Sequence, residues 1–138
     1  MTPINDIALF QGEILSSHSF FVRGSLPTLN EYTEVTRSNL YASAKMKKDA
    51  EERIIWEIRS QLKGWKTQGK VYVLFKWIEK NKRRDKDNVS FAKKFVLDAL
   101  VKSGTICNDS WRYIEGFADQ FDVDPKHHGV QVDILEVG

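Results

Sequence analysis

Two aspartates one residue apart, Asp85 and Asp87, follow directly on three consecutive cations, Lys82, Arg83 and Arg84. On an extended segment, side chains two apart point the same way, so both carboxylates can reach one hard cation. Carboxylates repel each other and any polyanion, and a divalent ion resolves both conflicts by binding them and turning its open positions to phosphate oxygens. A third carboxylate, Asp109, would approach from the turn before the next strand. Three carboxylates suit Mg²⁺ or Mn²⁺, which keep several waters, one of which can attack phosphorus. Lys94 lies seven residues after Asp87, about two helical turns, where an ammonium could bind the scissile phosphate or position that water.

Each residue also has a plainer role. Asp87 or Asn88 can cap a helix, Asp85 can balance Arg83 or Arg84, and Asp109 can be a turn residue of Asn108-Asp109-Ser110. A calcium loop does not fit, because Val89, Ser90 and Val96 stand where its ligand, glycine and glutamate belong. No Cys/His spacing supports zinc. Cys107 lacks a partner base and reads as a buried inert thiol, and His127-His128 as an exposed polar turn.

The elements that must place these residues follow from periodicity. Residues 18–24 alternate as a strand, with His18 at its start, and 26–32 form a loop around Pro27. Residues 39–62 are helical, since Ala50, Ile54, Ile58 and Leu62 recur every fourth position; Trp56 and Trp65 read as core or edge packing. Residues 70–78 carry apolar side chains on both faces, as in a central strand. A helix starts near Asn88 and buries Val89, Ala92, Val96 and Ala99 with Phe95 and Leu100, and Lys94 and Asp98 share another face. Gly104 ends it. Residues 111–120 form a strand, 122–129 a turn, and Val130, Val132 and Ile134 line a last strand. The fold class is single-domain α+β, a mixed β-sheet of about four to five strands packed by two principal helices. Residues 1–17 read as an N-terminal extension or arm of the same domain, which itself covers 18–138.

The chain has 138 residues, 41% hydrophobic and 29% charged, enough for one domain with a real core. One cysteine fits a reducing cytosol. No signal peptide or membrane-length apolar run is visible. The net charge of +2 hides an asymmetry, because residues 76–102 hold nine Lys or Arg against four Asp or Glu. A one-sided basic stretch suits nucleic acid, and also fits a solvated charged loop.

Taken in order, R-R-D-K-D-N, then K-x-x-x-D-A-L, then N-D-S resembles the RusA family of Holliday junction resolvases, often carried by phages and prophages. The early Pro27-Thr28-Leu29-Asn30 is similar to that family's P-x-x-N loop. The resemblance covers roughly residues 20–137, and its combined motif is more specific than any part. It implies that Asp85, Asp87 and Asp109 bind Mg²⁺ (or Mn²⁺) and that Lys94 assists catalysis. It implies DNA contacts from Asn30, Lys82, Arg83, Arg84, Lys86, Asn88 and Lys93. It further implies a homodimer acting on four-way DNA junctions in a bacterial host's cytosol, with no membrane partner. The segment between Asn88 and Asp98 is a few residues longer than the family pattern. The catalytic lysine is therefore placed by anchoring at Asp98, with Lys93 as its competitor. A branched-DNA-binding module without catalysis, and a related nuclease preferring flaps or other branches, are the other functions compatible with these residues.

Overall fold

The computed structural model describes residues 12–138. In chain order the elements are β1 (Ile14–Arg23), α1 (Leu29–Ser38), α2 (Leu40–Leu62), β2 (Lys70–Glu79), α3 (Lys86–Ser90), α4 (Lys93–Lys102), β3 (Ile114–Val123) and β4 (Gly129–Val137). The four strands make one sheet in the order β1-β4-β2-β3. β4 runs antiparallel to both β1 and β2, while β3 runs parallel to β2. This is the expected α+β class. Most of the expected extension, residues 1–11, lies outside the described residues; from Ile14 onward it is already β1.

Apolar spacing explains the core. Ala50, Ile54, Ile58 and Leu62 of α2 are all buried, as are Phe95, Val96, Ala99 and Leu100 of α4. They pack in one cluster with Val71, Val73, Phe75 and Trp77 of β2 and Val130, Val132 and Ile134 of β4. The two principal helices thus cover one face of the sheet. On the other face Leu74, Leu135 and Val137 form a smaller cluster. β2 is central, as its two apolar faces require.

Three local expectations are corrected. The loop expected at 26–32 turns into α1, because Thr28 and Glu31 form a reciprocal capping box: the Glu31 N–H donates to Thr28 Oγ1 at 3.3 Å and the Thr28 N–H to Glu31 Oε1 at 3.1 Å. The helix expected from Asn88 starts instead after Asp85 and is broken at Phe91-Ala92. There the Ala92, Lys94 and Phe95 N–H groups each donate to the carbonyl three residues back, a tight turn that resets the helical phase. The strand expected at 111–120 begins at Ile114 and runs to Val123.

Several single residues also differ. Trp56 is 69% exposed, and Cys107 is exposed with its Sγ 3.9 Å from the Thr67 carbonyl oxygen. His18 lies within β1 and not at its start; Trp65 stacks on it at 3.8 Å between ring centroids and packs against the core, as expected of Trp65. No helix among the described residues is long and apolar enough to cross a membrane.

Candidate functional site

β2 delivers the chain into the basic run at one end of the sheet. Beyond Glu79 the segment makes a charged excursion, steadied where Asn81 Oδ1 accepts the Arg83 N–H at 3.0 Å. Asp85 then caps α3 by position only. Its backbone is extended and its side chain makes no capping hydrogen bond, leaving an exposed carboxylate free for another partner. Asp87 sits in the first turn of α3, exposed, with Oδ1 accepting the Asn88 N–H at 3.0 Å. Asn88 Oδ1 in turn accepts the Asn30 N–H at 2.8 Å, tying the start of α1 to α3. The two short motifs, far apart in sequence, are therefore joined by a direct hydrogen bond.

An open cleft of about 680 Å³ is lined by Asp85 of the pair but not by Asp87, together with Glu79, Asn81, Lys82, Arg84, Lys86, Phe121 and Asp122 among others. Three carboxylates and three cations share its wall. The Lys86 ammonium lies 5.6 Å from the Phe121 ring centroid, and Arg84 Nη2 stands 3.7 Å from Glu31 Oε1. Lys82 and Arg83 are exposed. A cleft of this mixed character can hold a cation on its carboxylates while its lysines and arginines meet phosphate oxygens.

The two candidate lysines diverge. Lys93 turns inward, its Nζ 2.6 Å from Asp119 Oδ2 and 4.3 Å from the Phe117 ring centroid. Asp119 Oδ1 also accepts the Trp77 indole N–H at 2.8 Å. Lys94 turns outward and lies 3.7 Å from Asp98 Oδ2, which Lys47 also approaches at 3.6 Å. The expected sharing of a face by Lys94 and Asp98 is present. The phase argument from Asp87 to Lys94 is overturned, because the break at Phe91-Ala92 means no single helix joins them.

Asp109 is not brought to the pair within one chain. Its loop meets the opposite end of the sheet, where the Val71 N–H donates to the Tyr113 carbonyl at 2.9 Å and the Thr67 N–H to the Thr105 carbonyl at 2.9 Å. The cause is topological. β3 runs parallel to β2, so its approach loop lies where β2 begins, while Asp85 and Asp87 follow where β2 ends, about 30 Å of strand away. Locally Asp109 is exposed, in a turn where Asn108 Oδ1 accepts the Ser110 N–H at 2.8 Å. Among the described residues, no three His, Cys, Asp or Glu side chains form a group that could hold a metal ion. The donor set fits a hard cation in part, with two exposed carboxylates on one short segment, Asp85 without a side-chain capping hydrogen bond and Asp87 holding the Asn88 N–H, and a third place to be filled.

The sequence reading missed Glu79 and Asp122 in the cleft wall and Asp119 beneath Lys93. Asp122 was placed in a turn, though it continues β3 opposite Ile78. The alternation of Phe117, Asp119 and Phe121 was the signal that could have extended that strand. No family model matches the chain, and no curated protein matches it.

Proposed function

We propose that this protein is a Mg²⁺-dependent endodeoxyribonuclease that resolves four-way DNA junctions by paired hydrolytic nicks. The observation that carries the reading is the Asp85 carboxylate, exposed at the cap of α3 and making no capping bond, in a cleft that also presents Lys82, Arg84 and Lys86. A helix cap that served only the fold would spend its side chain on the helix N–H groups. A bound Mg²⁺ would supply a water of lowered pKa and offset the charge that builds on phosphorus.

The protein's own groups do the rest. Asp85 and Asp87 would hold the ion, and Lys82, Arg83, Arg84 and Lys86 would seat the DNA backbone. The Asn30–Asn88 hydrogen bond keeps α3 in place while they do so. Asp109 of the same chain stands too far away to join them, so its carboxylate reaches the pair only when a second copy presents it. A homodimer also suits a substrate with two strands to cut. Lys94, exposed on α4, remains the lysine for a phosphate arriving from outside.

A second reading, a branched-DNA-binding module without catalysis, draws on that same separation of Asp109 from Asp85 and Asp87. A cleavage assay on four-way, flap and linear DNA, with and without Mg²⁺, decides. Metal-dependent cutting of the four-way substrate at symmetric positions is expected. Tight junction binding with no cutting in either Mg²⁺ or Mn²⁺ would leave the binding module, and a preference for flaps would leave the same chemistry on another branch.

A further inference from the structure

The two edges of the sheet are finished differently. At β1 the outward backbone is occupied by a side chain of α2: Gln61 Oε1 accepts the Phe21 N–H at 2.8 Å and Gln61 Nε2 donates to the Phe21 carbonyl at 2.7 Å. One amide thus imitates a neighbouring strand and blocks further pairing there. At the other edge, β3 pairs among the described residues with β2 alone, and it exposes Phe117 at 46% and Val123 at 38%. A ten-residue edge strand with apolar side chains in solvent is a template for another strand.

Three acids on β3 would ordinarily keep a second copy away. Each is offset within the chain: Glu115 by Lys70 at 3.3 Å, Asp119 by Lys93 at 2.6 Å and Asp122 by Lys76 at 3.7 Å. The strand is therefore close to neutral where it faces outward, and an equal strand can approach it.

We propose that β3 pairs antiparallel with β3 of a second copy, centred on Gln120, so that two four-stranded sheets become one. This register sets Phe117 opposite Val123 of the second copy, twice by symmetry, and Ala118 opposite Asp122. It places no like charges face to face. Its limits coincide with natural stops: the irregular register at Glu115 falls opposite Pro125, which has no N–H to give. Antiparallel pairing also exchanges the two ends of the strand, carrying the Asp109 turn of one copy toward the Asp122 end of the other. The inference rests on the dimer reading above and assigns that dimer its interface.

The test places Gln120→Cys in a Cys107→Ser background, with Trp56→Cys on the exposed side of α2 as the control, and oxidises both under mild conditions. Opposed antiparallel residues lie within disulfide reach. Gln120→Cys should form a covalent dimer and Trp56→Cys should not. In parallel, Phe117→Glu should weaken self-association measured by sedimentation at least tenfold while its circular dichroism stays unchanged. If Phe117→Glu does not fold, the cross-link alone decides. A wild-type dimer that gives no Gln120→Cys cross-link overturns the β3 pairing and leaves the nuclease reading standing. A monomer that still resolves junctions overturns the pairing as well. A protein that neither dimerises nor cleaves overturns both.

Discussion

Lys93 Nζ lies 2.6 Å from Asp119 Oδ2, beneath the helix junction and against the rings of Phe75 and Phe117. This relationship separates two lysines that sequence spacing alone left competing. Lys93 is committed to the sheet, and Lys94 is the one whose ammonium faces solvent.

Substitution should therefore split them. Lys93→Met leaves the Asp119 carboxylate, already largely covered, with only the Trp77 indole N–H, and should cost about 1–3 kcal/mol in urea unfolding. Lys94→Ala should leave unfolding nearly unchanged and slow junction cleavage far more than it weakens binding, because its charge is proposed to act on one phosphate in the transition state. If Lys93→Met folds normally and is the more damaging to cleavage, the assignment reverses.

The carboxylates give a second test. Asp85→Asn and Asp87→Asn should each lower the cleavage rate by about a hundredfold or more with little loss of junction binding, since each would remove a ligand of the reacting ion. Asp109→Asn should do the same if a second copy supplies it. Asp122→Asn tests the alternative donor in the cleft of the same chain. Loss of activity in Asp122→Asn with full activity in Asp109→Asn would assign the third ligand to Asp122.

How far these roles could be read in advance varied with the physics of each segment. α2, β2 and β4 were legible because their apolar residues repeat at the helical or strand period, and burial follows the period directly. α1 was hidden by Pro27, although Thr28 and Glu31 hold the spacing of a capping box. The break at Phe91-Ala92 carries no glycine or proline, so composition could not announce it, and every phase argument across it failed. The extended segment expected to align Asp85 and Asp87 is instead the cap and first turn of α3, so the period-two argument for their direction does not hold, and they were legible only as neighbouring exposed carboxylates. Asp109 was not, because its distance from them is set by whether β3 runs with or against β2, and nothing in the local spacing encodes that choice.

The basic run should control salt dependence. If Lys82, Arg83 and Arg84 each displace counterions from a phosphate, neutralising all three should reduce the slope of log K against log salt by about 2.7. Titrations of a fluorescent junction at several salt concentrations measure it. An unchanged slope would make the run a solvated loop and shift the DNA contacts to Lys86 and Lys94.

The buried Glu51 of α2 is met by Lys102 at the end of α4, in a direct hydrogen-bonded ion pair. The Glu51 carboxylate beside it holds the Lys102 amine above its ordinary value, its hydrogen bond outweighing the opposing effect of burial. A cation stabilised in the folded state contributes fully below its unfolded value, near 10.5, and the contribution is lost as pH rises through the higher folded value. Thermal melts of wild type and Lys102→Met should thus converge as the pH climbs above 10.5 and differ most at neutral pH. At neutral pH Lys102→Met should cost about 3 kcal/mol by stranding a buried carboxylate, and Glu51→Gln in the same chain should recover part of it. Parallel melting curves across the whole alkaline range would show that the pair does not couple α2 to α4.

The separation of Asp109 from Asp85 and Asp87 leads to the most demanding test, complementation between two inactive proteins. If each site takes Asp85 and Asp87 from one copy and Asp109 from the other, Asp87→Asn and Asp109→Asn damage different halves of a shared site. In a mixed dimer one site receives both substitutions and is dead. The other receives intact Asp85 and Asp87 from the Asp109→Asn chain and intact Asp109 from the Asp87→Asn chain. Mixing the two proteins, with time for subunit exchange, should restore nicking of one strand of a supercoil-extruded cruciform and give relaxed circles. Linear product should stay absent, because a single live site cuts one strand per binding event. Wild-type dimers should give linear product from the same cruciform. If the mixture stays as inactive as its components while size measurements show that exchange occurred, each chain builds its site alone and the shared arrangement is wrong.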